Sequence, residues 1–145
     1  MTRPARVKGL HHLTLVTRDM DEMVRFFNEV LGILLVKIDH NFDRPEQKHY
    51  FFGDGEGQPG TLVTFFEILD LPENILGPGG MHHVAFWVQD EDALRAQIKH
   101  LDGMGIGHSE IIDRTYFKSL YFRGPEDLLI EFATEGPGFP EEESP

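Results

Sequence analysis

Gly9-Leu10-His11-His12-Leu13-Thr14-Leu15-Val16 lies without a gap over Gly80-Met81-His82-His83-Val84-Ala85-Phe86-Trp87, at an offset of 71 residues. The register persists: Asp19 meets Asp90, Asp21 meets Asp92, and Gly32 meets Gly103. Each copy reads as an apolar strand, an Asp, and a helical segment ending near a glycine. A repeat of this length is one supersecondary unit used twice. Asp19 and Asp90 are N-cap candidates, followed by acidic residues that suit a helix N-terminus. Met23, Phe26, Phe27, Val30 and Leu31 fall at helical spacing, as do Leu94, Ile98 and Leu101. Gly32 and Gly103 sit where a left-handed C-terminal stop is expected.

Apolar runs broken by turn signals follow each helix. In the first copy they are residues 33–38, 49–52 and 61–68, with turns at 53–57 and Pro59-Gly60. In the second they are residues 109–113, 117–122 and 128–134, with a turn at Gly124-Pro125-Glu126-Asp127. The pattern is βαβββ, twice. It predicts an α+β chain with one domain over residues 1–135, modules at about 9–68 and 80–134, and a Pro/Gly linker at 71–79. Residues 136–145 form an acidic, Pro-rich tail expected to be disordered.

Composition narrows the function classes. The 145 residues are 40% hydrophobic and 26% charged, ordinary for a chain that buries one core. No apolar run reaches the length of a membrane span, and the basic residues 1–9 lack the apolar stretch of a secretory signal. With no cysteine, disulfides and thiolate sites are impossible, so any metal rests on His and carboxylate. The net charge of −12 opposes binding to phosphate backbones. A cytoplasmic protein with small-molecule partners, no nucleic acid and no membrane contact is expected.

The doubled βαβββ pattern resembles the vicinal oxygen chelate superfamily, which holds glyoxalase I, bleomycin-resistance proteins and extradiol dioxygenases. The resemblance covers residues 10–134 and implies an eight-stranded, partly open barrel around one site. Strand alternation puts His12, Thr14 and Val16 on one face and His83, Ala85 and Trp87 on the matching face. His11 and His82 alternate to the other side. Glu131 stands among Leu128, Leu129, Ile130 and Phe132, where a carboxylate is costly to bury without a cation. His12, His83 and Glu131 are therefore the candidate metal ligands.

Counting six residues from each turn proline pairs Glu131 with Phe65, so the first copy offers no fourth ligand. Glu67 shares that face two residues on. Two His and one carboxylate form the facial set suited to Fe(II) and oxygen, with Mn(II), Zn(II) or Ni(II) as alternatives. Glyoxalase-like isomerases of this fold use four protein ligands, usually with a Glu on the strand that carries Phe65.

Finer motifs resemble the ring-cleaving hydroquinone dioxygenases. These are Asn41-Phe42-Asp43, His49-Tyr50-Phe51-Phe52-Gly53-Asp54, and Pro59-Gly60-Thr61 through Phe65-Phe66. Others are Asp113-Arg114-Thr115-Tyr116-Phe117-Lys118-Ser119-Leu120-Tyr121-Phe122-Arg123, Glu131-Phe132-Ala133-Thr134, and Gly136-Pro137-Gly138-Phe139. Members of that family carry four βαβββ modules; here the first-like and last-like modules stand adjacent.

The resemblance implies that Tyr121 hydrogen-bonds substrate or oxygen and moves a proton, with Arg114, Thr14, His11 and His82 around the ligands. His49 matches a family histidine on the third strand. Phe65 and Trp87 are candidate cavity walls. The expected function is Fe(II)-dependent cleavage of a hydroquinone- or catechol-like phenol by oxygen, in a chain that pairs as a homodimer. The alternatives are a metal-dependent glyoxalase-like lyase or isomerase and a non-catalytic binding protein for small aromatics.

Overall fold

The computed structural model describes residues 1–141. The chain divides into two compact units, Met1–Pro72 and Glu73–Pro145. Each carries one βαβββ module, and the eight strands among the described residues form two four-stranded mixed sheets. The chain is thus α+β, with the doubled architecture that the repeat predicts.

In the first unit β1 (His12–Thr17) runs parallel to β4 (Leu62–Glu67), followed outward by β3 (Lys48–Gly53) and β2 (Leu34–His40). Helix α1 (Met20–Arg25) passes into a π-helical turn, Phe26–Leu31. Asp19 caps α1 by accepting the Glu22 N–H at 3.0 Å. Gly32, at φ 70°, stops the helix in the left-handed conformation. Met23, Phe26, Phe27, Val30 and Leu31 are buried on this helical segment, as the spacing predicts, and Met20 is buried with them. The Phe27 ring lies 4.6 Å from Phe52 and 5.4 Å from Phe65. Phe65 is therefore a core side chain beneath the helix and not a cavity wall.

In the second unit β5 (Val84–Val88) runs parallel to β8 (Leu129–Thr134), followed by β7 (Lys118–Arg123) and β6 (Ile112–Asp113). Helix α2 (Glu91–Gly103) is capped by Asp90, which accepts the Ala93 N–H at 3.0 Å. Leu94 and Leu101 are buried on α2, and Leu120, Phe122, Ile130 and Phe132 are buried on the sheet.

Two boundaries differ from expectation. Gly103 is still helical, and the left-handed stop falls at Gly105, φ 70°. The Ile106 N–H then closes on the Leu101 carbonyl at 2.9 Å, so α2 runs two residues further than its partner before the chain turns. The predicted strand at 109–113 contracts to Ile112–Asp113, because the Ser109 hydroxyl donates to the Glu110 carbonyl and accepts the Tyr121 N–H, while the Ser109 carbonyl faces the His108 ring.

Of the acidic tail, residues 142–145 lie outside the described residues. Upstream, the Gly138 N–H donates to the Tyr116 carbonyl at 2.7 Å and Phe139 lies against the Tyr116 ring. No helix among the described residues is long and apolar enough to cross a membrane.

Below α2, both ring nitrogens of His108 face acceptors: Nδ1 the Ser109 carbonyl and Nε2 the Asp102 carboxylate, each at 2.7 Å. The Ser109 carbonyl, then Asp102, raises the His108 pKa above its ordinary value of 6.5. A folded-state pKa above the unfolded one adds stability that is complete below the unfolded value and is lost as pH rises through the folded value. His108→Gln should therefore lower the denaturation midpoint more at pH 6 than at pH 8. Equal losses at both pH values would assign the residue a neutral packing role.

Candidate metal centre

Period-two alternation builds the site. In the second unit β5, β8 and β7 pair Ala85 with Glu131 and Glu131 with Tyr121, and Ser119 with Ala133. Residues paired directly across a sheet share a face. One face thus carries Ala85, Trp87, Glu131, Ser119 and Tyr121, while Phe86, Phe132, Leu120 and Phe122 occupy the opposite, more buried face. His83 immediately precedes β5 on the Glu131 side.

Glu131 is 4% exposed. Its Oε1 lies 2.8 Å from His83 Nε2, and its Oε2 accepts the Ser119 hydroxyl at 2.7 Å. Ligands at about 2.0–2.2 Å from a metal, in adjacent positions, stand about 3 Å apart. The pair is therefore spaced to close on one ion with little movement. The donor set, an imidazole and a buried carboxylate without a Lys or Arg ion pair among the described residues, also fits a divalent cation.

The neighbours of the pair are ordered. His83 Nδ1 lies 2.9 Å from His82 Nδ1. The Tyr121 ring meets the His83 ring edge-on at 5.8 Å. Arg114 donates to the Tyr121 hydroxyl at 3.1 Å and stacks over its ring at 5.4 Å. Next to Arg114, Thr115 holds a left-handed φ of 72°, an uncommon state for a β-branched residue. Toward the C-terminal ends of β5 and β8 a depression of about 270 Å³ is lined by Ala85, Phe86, Trp87, Ala133, Thr134 and Glu135, and Trp87 is 75% exposed.

In the first unit His12, Thr14 and Val16 are exposed, while Leu13, Leu15 and Thr17 are more covered. His12 Nδ1 lies 2.9 Å from His11 Nδ1, the same pairing as His83 with His82. His11 and His82 are thus both exposed side partners of the candidate ligands. Among the described residues no three His, Asp or Glu side chains converge on one point. His83 and Glu131 come together; His12 stands on the other unit.

Register corrects the proline-based alignment of the two copies. Thr14 pairs with Thr64, and its counterpart Ala85 pairs with Glu131. The first-unit counterpart of Glu131 is therefore Thr64, not Phe65. The turn before β8 is one residue longer because Glu126 and Asp127 fill it in left-handed conformations. Glu67 is likewise displaced. It shares the helix-facing side with Phe65, accepts the Met20 N–H at 2.8 Å, and pairs with Lys48 at 3.8 Å. It braces the start of α1 and is not a fourth ligand.

Residues 9–132 match the model of the Glyoxalase/Bleomycin resistance protein/Dioxygenase superfamily. The chain belongs to this superfamily. It is 38% identical over 136 residues to MhqE of Bacillus subtilis (strain 168), provisionally named a ring-cleaving dioxygenase. It is 31% identical over 142 residues to the chlorohydroquinone/hydroquinone 1,2-dioxygenase of Sphingobium indicum. These alignments cover 90% and 94% of the chain but only 44% of either relative, so the chain spans less than half their length. A Bacillus subtilis crystal structure, provisionally described as a dioxygenase, superposes with a TM-score of 0.80 at 30% identity. That superposition covers 88% of this chain and 41% of the other.

Proposed function

We propose that this chain is a metal-dependent dioxygenase that opens the ring of a hydroquinone- or catechol-like phenol, with His12, His83 and Glu131 holding Fe(II). The observation that carries the reading is the buried Glu131 carboxylate facing His83 at 2.8 Å, in a chain similar to named ring-cleaving dioxygenases. Bound there, Fe(II) supplies a Lewis-acid and one-electron centre for phenol and oxygen.

The chain's own groups do the rest. A ligating imidazole presents a bare Nε2, so its proton belongs on Nδ1. His82 Nδ1 is placed to accept that proton's hydrogen bond from His83, and His11 does the same for His12. Ser119 engages one oxygen of Glu131 and leaves the other for the ion. Because Arg114 donates to the Tyr121 oxygen, the tyrosine's own proton is free to be given to a substrate oxygen. Trp87 offers an exposed aromatic face beside the pair. A cytoplasmic setting and a homodimeric assembly complete the proposal.

The experiment is oxygen uptake by anaerobically Fe(II)-loaded protein with hydroquinones and catechols. Uptake with a member of the panel is expected, with Mn(II), Zn(II) and Ni(II) forms as comparators. No uptake across the panel, with metal shown to be bound, would overturn the ring-cleaving assignment.

A further inference from the structure

The Ser119–Glu131 contact has a counterpart in the first unit with different chemistry. Ser119 and Glu131 in the second unit occupy the positions of His49 and Thr64 in the first, because His49 pairs with Phe66 as Ser119 pairs with Ala133. The contact survives the change of residues. His49 Nε2 lies 3.0 Å from the Thr64 hydroxyl, just as the Ser119 hydroxyl lies 2.7 Å from Glu131. In the first unit the row continues: the Thr64 hydroxyl lies 2.8 Å from that of Thr14. Thr64 is fully buried, whereas Thr14 is exposed two residues from His12 on the same strand face.

A base therefore sits behind two hydroxyls that open beside a candidate ligand. The His49 ring is clamped between Phe51 at 4.3 Å and Phe66 at 4.1 Å, which fixes its direction. Burial lowers its pKa, Asp39 on the adjacent strand acts in the raising direction, and His12 acts in the lowering direction. Burial thus favours the uncharged ring, which can accept a proton, and the Asp39 carboxylate can steady it once it is charged. Asp39 is itself paired with Lys37 and His40.

We propose that Thr14, Thr64 and His49 form a proton relay that draws the proton from a ring hydroxyl of a phenol bound at the His12 face. The balance is simple: the phenol O–H breaks, Thr14 takes that proton and passes its own to Thr64, and Thr64 passes its own to His49 Nε2. Phenolate and imidazolium result, both threonines are restored, and no oxidant is needed. Hydroxyl chains permit this because each oxygen both donates and accepts. The proposal rests on the phenol reading above, and its test does not require turnover.

The probe is 4-nitrocatechol, whose ionisation is visible by absorbance, titrated against the 145-residue chain with and without Zn(II). Thr64→Val removes the bridging hydroxyl while leaving His49 and Thr14 in place. It should raise the pH midpoint for ionisation of bound probe by about one unit, a tenfold weaker proton uptake. Thr14→Val should do the same and changes an exposed position, so it covers a failure of the buried variant to fold. In wild-type protein, nitrogen-resolved NMR should show the His49 ring becoming protonated on probe binding.

An unchanged midpoint in both variants, or a His49 ring that stays neutral, would overturn the relay. Loss of oxygen uptake with these signatures intact would instead overturn only the dioxygenase reading.

Discussion

Glu131→Ala should abolish stoichiometric metal binding while the protein remains folded. The side chain is nearly inaccessible, and its two oxygens are committed to His83 and Ser119. Removing it deletes the only anionic ligand of the proposed set and leaves a His83 nitrogen and a Ser119 hydroxyl facing a cavity. Loss of partners around a site already costs about 10–100-fold in affinity, and loss of a charged ligand should exceed that. Glu131→Gln separates charge from shape, since the amide fills the space and still accepts from Ser119. It should fold as wild type yet bind metal far more weakly. Calorimetric titration with Mn(II) and elemental analysis read both variants; full stoichiometry in the alanine variant would remove Glu131 from the site.

Phe27→Ala should be the most destabilising single core change in the first unit. Phe27 is 1% exposed and touches Phe26, Phe52 and Phe65, so its ring joins the helical segment to the sheet. Truncating a buried Phe costs about 3–5 kcal/mol, a large share of the roughly 5–15 kcal/mol typical of a domain. Denaturant unfolding should register that loss. Phe27→Leu, which keeps most of the volume, should lose distinctly less. A loss below about 1 kcal/mol for the alanine variant would contradict the packing described.

The sequence exposes local periodicity and hides non-local register. Alternation alone separates His12 from His11 and places it with Thr14, because side-chain direction along a strand repeats every two residues. Asp19 and Asp90 announce helix starts through contacts only three residues long. The Phe65 assignment fails for the opposite reason. Which residue faces Thr14 depends on the length of a turn, and the two copies differ there by one residue. A one-residue slip turns the side chain to the other face, so Phe65 moves into the core and Thr64 into the row. Glu67 follows the same slip.

The His49–Thr64–Thr14 row joins three strands, across separations of 15 and 50 residues. No spacing rule within any one strand reveals it. Its one sequence signal is a histidine in an aromatic strand, Tyr50-Phe51-Phe52 following His49, which marks a half-buried imidazole in need of a partner.

Ring cleavage is tested most directly by following isotopically labelled molecular oxygen into the product of Fe(II)-loaded protein by mass spectrometry. The proposed function predicts an open-chain product carrying both oxygen atoms, formed by wild type and not by Glu131→Gln. A quinone product with the label recovered as hydrogen peroxide or water would contradict it, since the ring would then have been oxidised without being opened.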